Sequence, residues 1–269
     1  MESTGGVSRR GRKQFNDSLA PAEWSFSTYV RPFKSAGASS AGAAVTAKLA
    51  DSTANTVHAV EEVLWALFSG PAAYTGFTFT DQFTADTTDL NIDFSESNKS
   101  TLGTAEIFFV LGNANKKVYK LTGCVVNEAS LDFDIDGIAT INWSGMGSEI
   151  IDDTATGIPV ATVTEALTAT NNFIRNRLTT LTVIPTTQNP TGDGSNELEA
   201  SYALTLTGGN ITMSNNVTFI TPEEIGLVNT PIGHVTGTRS VSGSMNCYLS
   251  KDTTANDNSA DLWEDLKSI

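Results

Sequence analysis

The chain has 269 residues, of which 39% are apolar and only 17% charged, and its net charge is −14. That length suits one large β domain or two small ones, and the abundance of Thr, Ser, Asn and Gly speaks for strands and turns and against a helical bundle. The acidic balance argues against a protein that grips nucleic acid by its phosphates, because counterion release needs a basic footprint.

Residues 1–22 read as a flexible basic arm in which Gly, Ser and basic residues recur without periodicity. Within its first thirteen residues Arg9, Arg10, Arg12 and Lys13 against Glu2 give +3, leaving −17 on the rest of the chain. Such an arm suits lying on a neighbouring, acidic subunit. Its basic start is not followed by the apolar core of a secretory signal, and no apolar run approaches the roughly 18 residues of a membrane span. The expectation is a chain made and folded in a cytoplasm, with no membrane insertion.

Residues 23–269 read as a mainly β domain with flanking α-helices. Trp24, Phe26, Tyr29 and Val30 open the first strand pattern, which Pro32 limits. Residues 35–56 form a low-complexity Ala/Ser/Gly/Thr run that reads as a long loop, uncommon in a compact domain unless it serves contacts. Val57, Val60, Val63, Leu64, Leu67 and Phe68 follow helical spacing, which predicts an amphipathic helix from Thr56 as N-cap to Gly70-Pro71 as stop, with His58 in its first turn. Strands are predicted at 76–80, 89–94, 105–111 and 117–127.

The central pattern follows. Leu131, Phe133 and Ile135 alternate with Asp132, Asp134 and Asp136, and after Gly137 the alternation resumes with Ala139, Ile141 and Trp143 apolar against Thr140, Asn142 and Ser144. A period of two over this length is a half-buried antiparallel hairpin. A two-residue loop would mix the faces, whereas a three-residue loop over 136–138 pairs Ile135 with Ala139, Phe133 with Ile141 and Leu131 with Trp143. Leu131, Phe133, Ile135, Ile141 and Trp143 then share a core or interface face, and Asp132 and Asp134 share the other with Asn142 and Thr140. The run also opens like the D-x-D-x-D-G of a calcium loop, but the twelfth position is Trp143 instead of a bidentate Glu and the predicted flanks are strands, so a solvated strand face is the better reading.

Residues 150–170 read as a connector. A second β series starts near Leu178 and runs through 199–207, Ile211, Met213, Val217 and Phe219 to a final helix from Ser259 to Leu266, with Leu262, Trp263 and Leu266 on one stripe. The Leu-Thr-Gly of 121–123 is echoed at 206–208, each between strand patterns. That echo leaves open an alternative of tandem halves, 23–150 and 171–269.

Enzyme signatures are missing: there is no G-x-S-x-G elbow, P-loop, H-E-x-x-H or Cys-His pair. The neighbouring carboxylates Glu61-Glu62, Asp152-Asp153 and Glu223-Glu224 do not converge on one atom as general acid-base work requires. His234 reads as a packed residue. No cofactor is implied. Cys124 and Cys247 read as reduced thiols in strands, with a disulfide within or between chains as the alternative.

The segment from Ile211 to Asp252 resembles the major tail tube proteins of contractile-tailed and long-tailed bacteriophages. Thr221-Pro222-Glu223 before Gly226, Gly233-His234, Gly237-Thr238-Arg239, Ser242-Gly243-Ser244 and Cys247-Tyr248-Leu249 carry the likeness, together with 121–147 and 23–33. The resemblance implies a β-barrel or two-sheet sandwich, assembled as a homo-oligomer into hexameric rings that stack into a hollow tube. The tube would sit in the virion tail and be assembled in the host cytoplasm, with DNA and a tape-measure protein in the bore and, in contractile tails, a sheath outside. Asp132 and Asp134 would then face the lumen. Two alternatives are a β-sandwich adhesion module on a virion or cell surface and the tube of a contractile injection device.

Overall fold

In a computed structural model, which describes residues 19–30, 32–36, 54–59, 61–70, 83–85, 90–92, 94, 96–112, 117–153, 175–176, 181–185, 201–223, 230–250 and 258–268, the chain is mainly β. In order it forms β1 (Ala22–Tyr29), β2 (Pro32–Ala36), β3 (Ala54–Ala59), α1 (Glu62–Ser69), β4 (Phe83–Ala85), β5 (Leu90–Ile92), a 3-10 helix (Glu96–Thr101) and β6 (Ala105–Leu111). It continues with β7 (Lys117–Asp134), β8 (Thr140–Gly147), β9 (Glu149–Asp153), β10 (Leu181–Val183), β11 (Tyr202–Leu204), β12 (Leu206–Ser214), β13 (Val217–Ile220), β14 (Gly233–Thr236), β15 (Ser240–Cys247) and α2 (Ser259–Ser268).

The 18-residue β7 is the spine. The predicted strand over 117–127 and the first arm of the predicted hairpin are one continuous strand. Its first half is flanked by β6 and β9, and its second half by β8 and β12, so one sheet runs β1-β8-β7-β12-β15 with β6 and β9 attached to β7. The change of partners occurs at Gly123, whose φ of +59° only glycine adopts without strain. The pairing of β7 with β6 shifts register over the same stretch, and β12 shifts between Leu206 and Gly208. Both Leu-Thr-Gly triplets therefore mark irregular points in long strands. Bulges bend a strand and increase its twist, which lets a long sheet curl.

α1 lies on the middle of the sheet. Leu67 and Phe68 pack with Trp24, Leu121, Cys124, Val126, Ala129, Ile141 and Trp143 into the main core. The Phe68 ring stacks on Phe94 at 4.7 Å, and the Trp65 ring meets Trp143 edge-on at 4.8 Å. Gly145 is required here by packing, because a Cβ would collide with the Val125 carbonyl oxygen and the Trp24 ring.

Three expectations are corrected. The helix is shorter than its spacing predicted: Ala54–Ala59 is strand β3, paired with β2, and His58 lies opposite Phe33. Val57 fits a strand at least as well as a helix, since β-branched residues favour the former. The hairpin keeps the predicted faces but not the partners. Leu131 pairs with Ile141 and Ala129 with Trp143, two residues from the expected register. The turn is wider because the Asp134 carboxylate accepts the Gly137 N–H, which ends β7 at Asp134. Ile135 consequently lies past the strand and is exposed, so it is no core residue. Third, the connector starts later than expected: residues 150–153 belong to β9, which pairs with β7. On α2, Ala260 and Asp265 are buried while Trp263 and Leu266 of the predicted stripe point outward. The arm over 1–18, most of the 35–56 run, the 76–80 strand and the connector from 154 onward lie outside the described residues.

Candidate functional site

The pairing register sorts the five-strand path into two unlike faces. On one, Phe26, Trp143, Ala129, Met213 and Val241 form a row, and Thr28, Ile141, Leu131, Ile211 and Gly243 form the next. On the other, the rows are Ser25, Ser144, Glu128, Ser214 and Ser240, then Ser27, Asn142, Ser130, Thr212 and Ser242, then Tyr29, Thr140, Asp132, Asn210 and Ser244. A wide antiparallel sheet can leave one face to solvent when that face is polar.

Side chains on the polar face satisfy one another along the rows. Ser27 Oγ donates to Asn142 Oδ1 at 2.6 Å, and Asn142 Nδ2 donates to Asp132 Oδ2 at 2.6 Å. The hydroxyls of Ser130 and Thr212 share a hydrogen bond at 2.9 Å. Ser244 donates to Asn210 Oδ1 from its backbone N–H at 3.1 Å and from its hydroxyl at 2.8 Å. Glu23, Glu128, Asp132 and Asp134 bring negative charge, and β1, β8, β12, β15 and the β7 stretch from 125 onward contain no Lys or Arg. The nearest lysines on β7 sit on its first half and are engaged: Lys117 with Asp152, and Lys120 with Glu106 at 3.5 Å.

The two predicted acidic residues therefore have different duties. Asp132 stands exposed on a rung of the polar face, held by Asn142. Asp134 closes the turn through Gly137 N–H. Among the described residues no three His, Cys, Asp or Glu side chains come together as a metal site.

Coverage fades toward β15. All eight of its residues are exposed, and every residue of β12 is half-buried. The outer edge of β15 has no strand partner among the described residues, and β1 ends the path on the other side.

Cys124 and Cys247 are free thiols, the first buried and the second exposed, so no bridge within the chain joins them. Burial pushes the Cys124 thiol up to about 11. His234 is half-buried with its ring 5.9 Å from that of Phe219, and burial lowers its pKa, which favours the neutral imidazole.

Sequence reasoning missed a buried polar hub at the base of β15. Asn215 is fully buried; its Nδ2 donates to the carbonyls of Phe68 at 2.9 Å and Val126 at 3.2 Å, and its Oδ1 accepts from Arg239 Nε at 2.8 Å. Arg239 Nη2 also reaches the Ser69 carbonyl at 2.7 Å, and the guanidinium lies 4.5 Å over the Phe94 ring. Its backbone N–H donates to Glu96, whose carboxyl is lowered by Lys99 first and by Arg239 second. The end of α1, whose carbonyls lack intrahelical partners, is thus fastened to the start of β15. The available signal was the lone Arg239 in a Ser/Thr-rich stretch of an acidic chain.

A family model described as phage tail tube protein matches residues 25–264. The tail tube protein pb6 of Escherichia phage T5 is 30% identical over 265 residues, covering 96% of this chain and 49% of that protein. The chain spans about half the length of that curated relative.

Proposed function

The chain belongs to the phage tail tube protein family, and from that membership we propose that it is a structural subunit of the virion tail whose copies join edge to edge into hexameric rings that stack as a tube, with the polar sheet face toward the bore. The carrying observation is the pair of unlike faces, one sealed by α1 and the other a polar, carboxylate-bearing surface without basic residues. The fully exposed edge strand β15 supports the manner of joining. Unpaired sheet edges are a liability that closure removes. The path holds five strands that alternate in direction, so β1 and β15 run the same way. Rotation about an axis near the strand direction therefore brings β15 of one copy parallel to β1 of the next.

The bore then carries DNA and a tape-measure protein, and in a contractile tail a sheath surrounds the tube. Duplex DNA bears about one negative charge per 1.7 Å, and exposed charges more than roughly 8 Å apart are largely screened at physiological salt. Glu23, Glu128 and Asp132 on the wall repel DNA only at close range, which keeps it sliding instead of sticking.

Electron microscopy of concentrated protein tests the assembly: hollow tubes are expected, and monomers at every concentration would sink the reading. The lumen assignment has a separate test. Glu128→Lys with Asp132→Lys reverses charge on the rungs and leaves the Asp134 turn intact, so tubes should form while DNA ejection slows. Unchanged ejection from intact tubes would remove the polar face from the bore.

A further inference from the structure

β15 is the strand that the subunit holds least. All its residues are exposed, and among the described residues only β12 pairs with it. A strand with few buried contacts opens locally at low cost. Copies that join along such a strand must order it as they meet, and a contact made from a partly populated state is weakened by that fraction. Yet buried polar groups are spent at the base of this strand, where Asn215 accepts from Arg239 and Arg239 reaches the Ser69 carbonyl. A buried charged group is weak evidence for stability, since apolar replacements of like volume often hold a fold as well.

A second hold lies on the outer side of the same turn. Asn216 is exposed, and its φ of +51° is the sole positive value of a non-glycine among the described residues. Asparagine tolerates that left-handed region better than most residues. Its Nδ2 donates to the Thr238 carbonyl at 2.6 Å and to Ser240 Oγ at 3.4 Å, and its carbonyl accepts the Gly237 N–H at 3.0 Å. The turn is itself tied to the spine. Asn215 N–H donates to the Asn127 carbonyl at 2.8 Å and Val217 N–H to Asn127 Oδ1 at 2.7 Å, where β7 shifts register against β8. Two consecutive residues thus grip the entry to β15, Asn215 from the inside and Asn216 from the outside.

We propose that Asn215 and Asn216 are positioning residues for assembly, which with Arg239 hold the start of β15 on the spine so that this edge is already ordered when β1 of a second copy pairs with it. The inference rests on the tail tube reading for the choice of that edge. It adds that the hub serves the readiness of the edge more than the stability of the subunit. Assembly and unfolding should therefore respond differently to the same substitution.

Variants of the full chain test it through urea unfolding, amide exchange over 240–247 and the concentration at half-assembly. Asn216→Gly adopts the same φ without strain and gives up only exposed bonds, so its urea midpoint stays near that of the wild type. Its exchange over 240–247 quickens, and half-assembly requires roughly threefold more protein or beyond. Arg239→Met acts in the same direction and further. Ile141→Val, in the core on β8, lowers the urea midpoint more than Asn216→Gly does yet assembles at the wild-type concentration. Unchanged exchange over 240–247 in Asn216→Gly overturns the proposal, as does an assembly defect in Ile141→Val equal to that of Asn216→Gly. A wild-type chain that is monomeric at every concentration overturns this proposal and the tail tube reading together; wild-type tubes with normal assembly of Asn216→Gly overturn this proposal alone.

Discussion

The two faces of the five-strand path come from the same strands and end in opposite states. Ile141 and Trp143 are 2% and 0% exposed beneath α1, while Asn142 between them is exposed and spends its side chain on Ser27 and Asp132. A second contrast runs across the strands. β8 is sealed on one face, whereas Val241 on β15, in the same apolar row as Trp143, is 64% exposed. The subunit's own burial thus accounts for one face and one end of the sheet. The polar face and the β15 edge contribute little to holding the chain folded, which leaves them free to serve contacts outside it.

The sharpest way to break that contrast is to change adjacent residues. Trp143→Ala empties the centre of the core, strips the edge-on partner of Trp65 and leaves Thr28 Oγ1 without its 2.8 Å indole donor, and should cost about 3–5 kcal/mol in urea unfolding. Asn142→Ala one residue away should cost about 1 kcal/mol, since its bonds are exposed. Equal losses would mean that the polar face is a second core. Next in size is the hub. Arg239→Met keeps the aliphatic stem but abandons the Ser69 carbonyl and Asn215 Oδ1, and should cost about 2–4 kcal/mol through unpaired buried acceptors. Because Arg239 immediately precedes β15, that variant should also loosen the strand, seen as faster amide exchange from 240 to 247 than on β8.

Period-two alternation made the hairpin faces legible, since parity survives any odd loop. It could not give the partners, which moved by two because Asp134 folds onto Gly137 N–H; nothing in an alternating pattern reports which carboxylate will close the turn. Val57 opened a helical spacing, but a β-branched residue also suits a strand, and pairing with β2, outside the local window, decided it. The stripe on α2 was legible as apolar but not as inward or outward, because which side of a helix is buried depends on the partner, here Tyr202. The polar face was half legible: Asp132 and Asn142 were visible in one hairpin, but the rungs supplied by β1, β12 and β15 exist only once the sheet is assembled. The Asn215–Arg239 hub joins residues from three separate parts of the chain, so the lone Arg239 in its Ser/Thr-rich stretch was its one local sign and named no partner.

A smaller effect separates the two cysteines. The Cys124 thiol is pushed up to about 11 in the fold by burial, against about 8.5 in an unfolded chain. Below the unfolded value both states are protonated and stability is complete. Between the two values the unfolded chain releases a proton that the folded chain keeps, so stability falls as pH rises, by about 1.4 kcal/mol per pH unit. Urea midpoints at pH 8 and pH 10 should show the fall, and Cys124→Ala should abolish its share. Thiol reagents should label Cys247 in the native subunit and Cys124 only after unfolding.

The smallest expected effect on the subunit bears most directly on the contrast. Val241→Thr replaces an exposed side chain on the apolar row with one of like shape and similar strand preference, so unfolding of the isolated subunit should change by less than about 0.5 kcal/mol. If that row continues from β15 into β1 of the next copy, Val241 becomes buried on assembly, and the added hydroxyl must then go unpaired in an apolar setting. The same substitution should therefore be silent in the monomer and raise the concentration required for tubes. Ser242→Val, on the polar side of the same strand, should be silent in both. Should Val241→Thr instead cost the monomer as much as a core change, β15 is already packed within one chain, and the edge that the subunit leaves open lies elsewhere.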